Sequence, residues 1–177
     1  MSTTITIDIF DPASVDRAVR EIRAYSERGR RKTEELRERV SNLIANDART
    51  AFASAIASDD LREGGIPGNV DVSVRADGDN VTIIVADGKD AVFMEFGAGV
   101  YYNGAVGSSP HPLGAGLGMT IGSYGKGLGK RAVWGYLGDD GELHLTHGAP
   151  ASMPLYRAVQ SVAMNIVDIA REVFASA

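Results

Sequence analysis

Three histidines and one glutamate are the residues of this sequence whose types most readily support metal binding or catalysis. His144 and His147 are three residues apart on a segment that is predicted to be a strand. An odd spacing on a strand sends the two side chains to opposite faces of the sheet, so this pair makes a poor metal site. The remaining histidine is His111, and the chain has no cysteine. The sequence therefore predicts no bound metal and no cofactor.

Glu95 is the carboxylate whose surroundings most suggest chemistry. It lies between Met94 and Phe96, and a glutamate in an apolar stretch is a candidate general acid or base. Such a role needs a nucleophile or a second titratable partner, and no nucleophile elbow of the form G-x-S-x-G occurs. A lone glutamate of this kind is more often a hydrogen-bonded structural residue or one member of an interface pair. We therefore expect a protein that is not an enzyme.

Two Gly-Lys pairs suggest a phosphate-binding loop. Lys126 and Lys130 each follow a glycine, as the lysine of that loop does. The loop also requires a glycine five residues before the pair and a serine or threonine after the lysine. Thr120 and Tyr124 occupy the earlier positions, and neither lysine is followed by serine or threonine. The phosphate-loop motif is absent, and the three-glycine dinucleotide motif is absent as well.

A glycine-rich insert at residues 100–131 is predicted to be a flexible arm. No acidic residue lies between Glu95 and Asp139. Loops of more than about 15 residues without secondary structure are usually functional or disordered. This insert could fold onto a protein partner, follow the phosphates of a nucleic acid through Lys126–Arg131, or be a surface loop with no role. Its candidate partner-binding residues are Tyr101, Tyr102, Tyr124, Lys126, Leu128, Lys130 and Arg131.

The length of the chain indicates one domain, and its composition fits assembly in a reducing cytoplasm. A chain of 177 residues fits a single domain that buries about two-thirds of its unfolded surface, and we assign residues 1–177 to it. The lack of cysteine suits a reducing compartment. The N-terminal residues lack the features of a signal peptide, and no apolar run approaches the roughly 18 residues of a membrane span. The net charge of −5 argues against nucleic-acid binding by the whole surface.

Hydrophobic periodicity places helices at both ends of the chain. Alternation over Thr3–Phe10 predicts a short strand. Asp11 is a good N-cap for a first helix over residues 12–27, which Gly29 then bends or breaks. A core helix follows over residues 33–58. A last helix begins near Ser152 and carries an apolar stripe to its end.

In the middle of the chain, apolar and polar residues alternate with the two-residue period of a β-strand. Residues 70–85 predict a hairpin that turns at Asp77-Gly78-Asp79, and residues 132–147 predict a second hairpin. The predicted fold class is α+β. The long helix and the C-terminal helix pack on one face of an antiparallel sheet of about four or five strands, and the glycine-rich loop protrudes from it.

Two short phrases flank the insert, and their order resembles a known family. The first reads AVFMEFGAG at residues 91–99, and the second reads HGAPASMPLYRAVQ at residues 147–160. With the aromatic strand that begins at Trp134, this arrangement is similar to the neck proteins of tailed bacteriophages, the head–tail connector or tail-completion proteins of siphophages. Ala98 stands where that family usually has threonine. The residues that carry the resemblance are Glu95, Phe96, Gly97, Gly99, Trp134, Gly148, Pro150 and Pro154.

The resemblance covers roughly residues 33–175, and it implies a virion structural protein. It implies a subunit of the head–tail joint that forms a homo-oligomeric ring around the DNA channel after assembly in the host cytoplasm. The implied partners are head-completion, tail-terminator or tail-tube proteins, with DNA passing through the channel and no membrane. The alternative is a nucleic-acid-binding module that uses the Lys126–Arg131 arm, and strongly salt-dependent DNA binding would identify it.

Overall fold

The computed structural model describes residues 4–59, 69–78, 80–88, 90–99, 109, 111–114, 116–117, 134–138, 140–146, 148–149 and 151–176. The helices are α1 (Pro12–Asp59), α2 (Ala91–Phe96) and α3 (Pro154–Ala175). The strands are β1 (Asp71–Asp77), β2 (Val81–Asp87), β3 (Ala98–Gly99), β4 (Trp134–Leu137), β5 (Leu143–Thr146) and β6 (Gly148–Ala149). Among these residues no helix is long and apolar enough to cross a membrane.

The chain divides into two compact units. One consists of Met1–Val40 with Asn165–Ala177, and the other is Ser41–Met164. In the first unit, Lys32 Nζ donates a hydrogen bond to Ser176 Oγ, and Arg39 pairs with Glu172. These two contacts place the C-terminal end of α3 beside the middle of α1.

The predicted N-terminal strand is wrong. Residues 4–8 have no regular structure, and a turn follows at residues 9–10. The backbone N–H of Phe10 donates to Asp8 Oδ1, and the N–H of Asp8 donates to Ser14 Oγ. An aspartate that bonds the backbone two residues on favours a turn over a strand. Asp11 is the predicted N-cap, and its Oδ1 accepts the N–H of Ala13 at 3.0 Å.

The predicted break at Gly29 is also wrong, because α1 is continuous from Pro12 to Asp59. One glycine costs a helix about 1 kcal/mol, which is too little to interrupt a long amphipathic segment. Towards its C-terminal end α1 contributes Ala45, Ala48 and Phe52 to the core of the second unit. The small side chains of Ala45 and Ala48 allow close approach of other elements, and Phe52 fills the core beside them.

The core of the second unit is built from all of its larger elements. Val72 of β1, Ala91 and Met94 of α2, and Ala158 of α3 are buried together with the α1 residues. Strands β1 and β2 pair antiparallel, with Val72 opposite Ala86. The hairpin at residues 70–85 is therefore confirmed, and so is the second one, because β4 pairs antiparallel with β5. The C-terminal helix starts as predicted, with Pro154 as its first residue.

The predicted sheet of four or five strands is wrong. Within the described ranges the strands pair only in twos, as β1–β2, β3–β6 and β4–β5. The Val72 carbonyl accepts hydrogen bonds from the Arg49 guanidinium, so an arginine occupies a β1 acceptor that a further strand would use. Strands β3 and β6 have two residues each and cannot extend a sheet. The fold remains α+β, with a long helix, a two-stranded antiparallel sheet and a C-terminal helix.

Candidate functional site

The candidate site is a buried joint that Glu95 and His111 make with the start of α3. Glu95 is the penultimate residue of α2, a helix of 6 residues. The helix ends at Gly97, whose φ of 80° and ψ of 159° lie in a region that side-chain-bearing residues avoid. This glycine lets the chain leave α2 sharply while the Glu95 side chain stays in the core.

Glu95 caps the N-terminus of α3. Its Oε2 accepts the backbone N–H of Leu155 at 2.8 Å, and its Oε1 accepts the N–H of Tyr156 at 2.9 Å. Met153 holds the N-cap position, since its carbonyl accepts the first helical N–H, from Arg157, at 2.9 Å. A methionine side chain has no oxygen with which to cap a helix. A carboxylate that is 58 residues away in sequence from Met153 therefore satisfies the first N–H groups of α3.

The backbone of α2 is bonded to the same turn. The Met94 carbonyl accepts hydrogen bonds from the N–H of Ser152 at 2.9 Å, the N–H of Met153 at 3.2 Å and the hydroxyl of Ser152 at 3.1 Å. Met153 has a φ of 54°, which is uncommon for a residue other than glycine. These bonds to Met94 hold Met153 in that conformation directly before Pro154.

His111 completes the joint from the insert. Its Nε2 lies 3.1 Å from Glu95 Oε1, and its Nδ1 accepts the backbone N–H of Leu113 at 3.1 Å. Because Nδ1 acts as an acceptor, it carries no proton, and Nε2 carries the proton that it donates to Glu95. The imidazole in this arrangement is neutral. It lies between two aromatic rings, with centroid distances of 4.5 Å to Phe96 and 5.1 Å to Tyr156.

A short turn of the insert positions His111. Ser109 Oγ donates to the Phe96 carbonyl at 2.6 Å and accepts the N–H of His111 at 3.2 Å. The His111 carbonyl in turn accepts the N–H of Gly114 at 2.8 Å. A Cβ atom on Gly114 would come within 2.9 Å of Ser109 Cβ, so the turn requires glycine there. Part of the insert is therefore packed against α2.

The two phrases that flank the insert meet in this structure. Ala98 pairs with Ala149, and Gly99 pairs with Gly148, in the short β3–β6 ladder. Met94 and Glu95 of the first phrase bond to the turn and the helix that the second phrase begins. The residues that carry the resemblance to phage neck proteins thus include the components of one continuous joint.

The polar groups of the joint are buried and bonded to one another. The side chains of His111 and Glu95 are only 3% and 7% exposed. The N-terminus of a helix carries about half a positive charge, which stabilises the buried carboxylate. Both Glu95 oxygens and both His111 nitrogens are engaged in the hydrogen bonds given above. In the part of the chain that the structure describes, no three histidine, cysteine or acidic residues gather in a way that could hold a metal ion.

A second histidine–carboxylate pair lies at the turn of the β4–β5 hairpin. His144 Nε2 is 2.9 Å from Asp140 Oδ2; the Asp140 side chain is exposed and the His144 side chain is half-buried. The pKa of Asp140 is lowered, first by the backbone N–H of Glu142 and then by the hydrogen bond with His144. This pair closes the turn of the hairpin.

The predicted site residues have different outcomes. Glu95, Phe96, Gly97 and Pro154 lie in the joint, Gly99 and Gly148 form the β3–β6 ladder, and Trp134 begins β4. The predicted partner-binding residues Tyr101, Tyr102, Tyr124, Lys126, Leu128, Lys130 and Arg131 lie outside the described residues, as does Pro150.

Sequence reasoning missed His111. It was treated only as a possible metal ligand within a flexible arm. The available signal was local, because Pro110 and Pro112 flank His111 and are the only prolines in the sequence of this glycine-rich insert. Two prolines around one histidine restrict the chain and favour a defined turn.

Comparison of this chain with protein-family models, with curated proteins and with solved structures found no match.

Proposed function

We propose that this protein is a structural, non-enzymatic subunit of a tailed-phage neck that joins the head to the tail or completes that connection. The observation that carries the proposal is the joint itself. The two phrases that resemble the neck family are distant in sequence, and they meet through Glu95, the α3 N-terminus and the β3–β6 ladder. A resemblance whose residues cooperate in one structural feature is stronger than one whose residues are scattered.

The chemistry of the joint supports a scaffold. Its buried polar atoms bind one another, and among the described side chains no buried nitrogen or oxygen lacks a partner. An enzyme active site normally holds polar groups ready for a substrate. Here the carboxylate and the imidazole are already used to fix two helices and the base of an insert, which suits a subunit that must hold its shape in an assembly.

In this proposal the protein forms a ring around the DNA channel at the head–tail joint. Its neighbours are the head-completion, tail-terminator or tail-tube proteins. The acidic charge of the chain, −5 overall, suits a ring that does not retain the DNA passing through it.

Electron microscopy of particles from a phage in which this gene alone is disrupted tests the proposal. We expect DNA-filled heads and finished tails that are separate, and joined virions after complementation with the intact gene. Joined, infectious virions without the gene would refute the proposal.

A further inference from the structure

Strand β2 has the composition of an inner strand, although it lies at an edge. In β1 the burial alternates, with Val72 buried between the exposed Asp71 and Ser73. In β2, residues 82–86 are all half-buried, so both faces of this strand are partly covered. A nearly continuous apolar run of this kind is typical of a strand inside a sheet. Within the described ranges, however, β2 pairs with β1 alone.

The geometry of the hairpin shows which backbone groups of β2 point outward. Asp77 and Val81 are the pair that closes the turn. A closing pair exchanges its backbone hydrogen bonds, and along an antiparallel ladder such pairs alternate with pairs whose N–H and C=O groups point away from the partner strand. Counted from the turn, the outward residues of β2 are Thr82, Ile84 and Ala86.

The outer edge of β1 is protected, whereas the outer edge of β2 is not. Val72 lies opposite Ala86, and its outward carbonyl accepts the Arg49 guanidinium at 2.9 Å. Natural edge strands are shielded by such cover, by charged side chains, by proline or by bulges. Strand β2 has no proline, its ladder with β1 is unbroken, and its one charged residue is the terminal Asp87. Its outward groups form no backbone hydrogen bond with another described residue.

We infer that the free protein dimerises by antiparallel pairing of the outer edge of β2 with the same edge of a second copy. The outward residues define the register. With Ile84 opposite Ile84 of the second copy, Thr82 lies opposite Ala86 in both directions, and every outward N–H and C=O group obtains a partner. A register centred on Ile83 or on Val85 would leave one outward residue of each copy beyond the end of the opposing strand.

The side chains are compatible with this register. Ile83 lies opposite Val85 of the second copy, and cross-strand pairs of β-branched residues stabilise a sheet. Asp87 lies opposite Val81, which is 50% exposed, so no two like charges face each other within the paired strands. Because the outer edge of β1 is protected, the pairing ends at two copies.

An extended segment of another protein is the competing occupant, since a free strand edge binds a partner through the backbone. The second copy is favoured because its own edge satisfies all the outward residues of β2 and brings no like charges together. The inference goes beyond the proposed function and does not rest on it. A two-fold contact joins two copies and cannot close a ring. The dimer is therefore the form of the protein before assembly, in which the edge is covered and aggregation is avoided.

The first test is the mass of the full-length protein by analytical ultracentrifugation over a range of concentrations. We expect a monomer–dimer equilibrium that Thr82→Pro weakens at least about tenfold, because each copy loses one backbone donor across the contact. Proline is tolerated where the N–H of an edge strand points outward. Thr82→Val keeps this N–H and is the matched control. Wild-type protein that stays monomeric, or equal weakening by both substitutions, would overturn the inference.

The second test measures the register and does not depend on the proline variant. The chain has no cysteine, so an introduced cysteine reports on one contact. Chains with Ile83→Cys mixed with chains with Val85→Cys should form disulfide-linked dimers under mild oxidation, because these positions are directly opposite. Each variant alone should cross-link far more slowly, since its two cysteines are diagonal neighbours roughly 7–8 Å apart. Cross-linking of a single variant as fast as of the mixture, or none in the mixture, would contradict the proposed pairing.

Hydrogen exchange separates the dimer from an edge that is covered within one chain. The amides of Thr82, Ile84 and Ala86 should be protected at high protein concentration and should exchange faster on dilution. Protection that persists unchanged in a monomeric protein would overturn the inference. If the purified chain is monomeric while disruption of its gene still separates heads from tails, the dimer inference fails and the proposed function stands. A dimer with this register from a gene whose loss leaves virions joined would give the opposite result.

Discussion

The Glu95 carboxylate accepts the backbone N–H of Leu155 at 2.8 Å, across 60 residues of sequence. This contact, repeated at Tyr156, makes one side chain the cap of a helix to which it does not belong. Capping normally comes from a residue adjacent to the helix. Here it links α2 to α3, so the start of the C-terminal helix depends on a residue of the first phrase.

Replacing Glu95 tests the energy of this cap. In Glu95→Gln, one carboxylate oxygen is replaced by an NH2 group, which cannot accept the hydrogen bond that a backbone N–H of α3 donates there. Hydrogen bonds to charged groups contribute about 1.5–3 kcal/mol, so we expect unfolding free energy to fall by about 2 kcal/mol. Urea denaturation measures this loss, and Glu34→Gln, at an exposed position of α1, is the control. Equal effects of the two substitutions would show that the buried cap contributes little.

The second prediction concerns which ring nitrogen of His111 carries the proton. The N–H of Leu113 donates to Nδ1, so the proton of the neutral ring lies on Nε2 and points to Glu95. Long-range nitrogen–proton NMR spectra at neutral pH should show an unprotonated Nδ1 and a protonated Nε2. A proton on Nδ1 would break the bond with Leu113 and contradict the described geometry.

The sequence predicts local structure well where one segment decides it. The N-cap at Asp11, both hairpins and the start of α3 follow from short patterns, and the structure has them. The sheet of four or five strands was wrong because strand number depends on which edges find partners. No pattern in the sequence shows that Arg49 takes the Val72 carbonyl.

The candidate site was predicted only in part, for a similar reason. Glu95 stood out because it is charged and lies between Met94 and Phe96. Its hydrogen-bond partners lie 16, 60 and 61 residues further along the chain, and such pairings are tertiary contacts. The predicted N-terminal strand failed because Asp8 and Ser14 bond the backbone locally, which outweighed the alternation of isoleucines.

Two glycine substitutions should have opposite effects. Nothing lies within 4 Å of a Cβ built on Gly29, which is inside α1, so Gly29→Ala should stabilise the protein by about 0.5–1 kcal/mol. Gly97 has a positive φ with extended ψ, and Gly97→Ala should destabilise it by about 1–3 kcal/mol. Thermal unfolding of the two variants compares them. If both substitutions changed the stability in the same direction, the conformations described for Gly29 and Gly97 would be contradicted.

The turn of the β4–β5 hairpin should respond to pH in a defined direction. The N–H of Glu142, and then His144, hold the pKa of Asp140 below its usual range. A pKa that is lower in the folded state gives stability above the unfolded value of about 3.9, which is lost as pH falls through the folded value. Carbon NMR titration should give Asp140 a midpoint below that of aspartate in an unstructured peptide.

A control for this titration removes one of the two causes. His144→Ala should raise the midpoint of Asp140 while leaving it below the peptide value, because the larger contribution comes from the backbone of Glu142. A midpoint at or above the peptide value in the unaltered protein would show that the turn is not closed by Asp140.

The most direct test of the proposed function is a cryo-electron microscopy map of the neck of the phage that encodes this protein. We expect a ring at the head–tail joint whose density follows the 48-residue α1, the β1–β2 hairpin and an α3 that begins beside Glu95. A neck whose rings are fully accounted for by other chains, with no density for this one, would contradict the account.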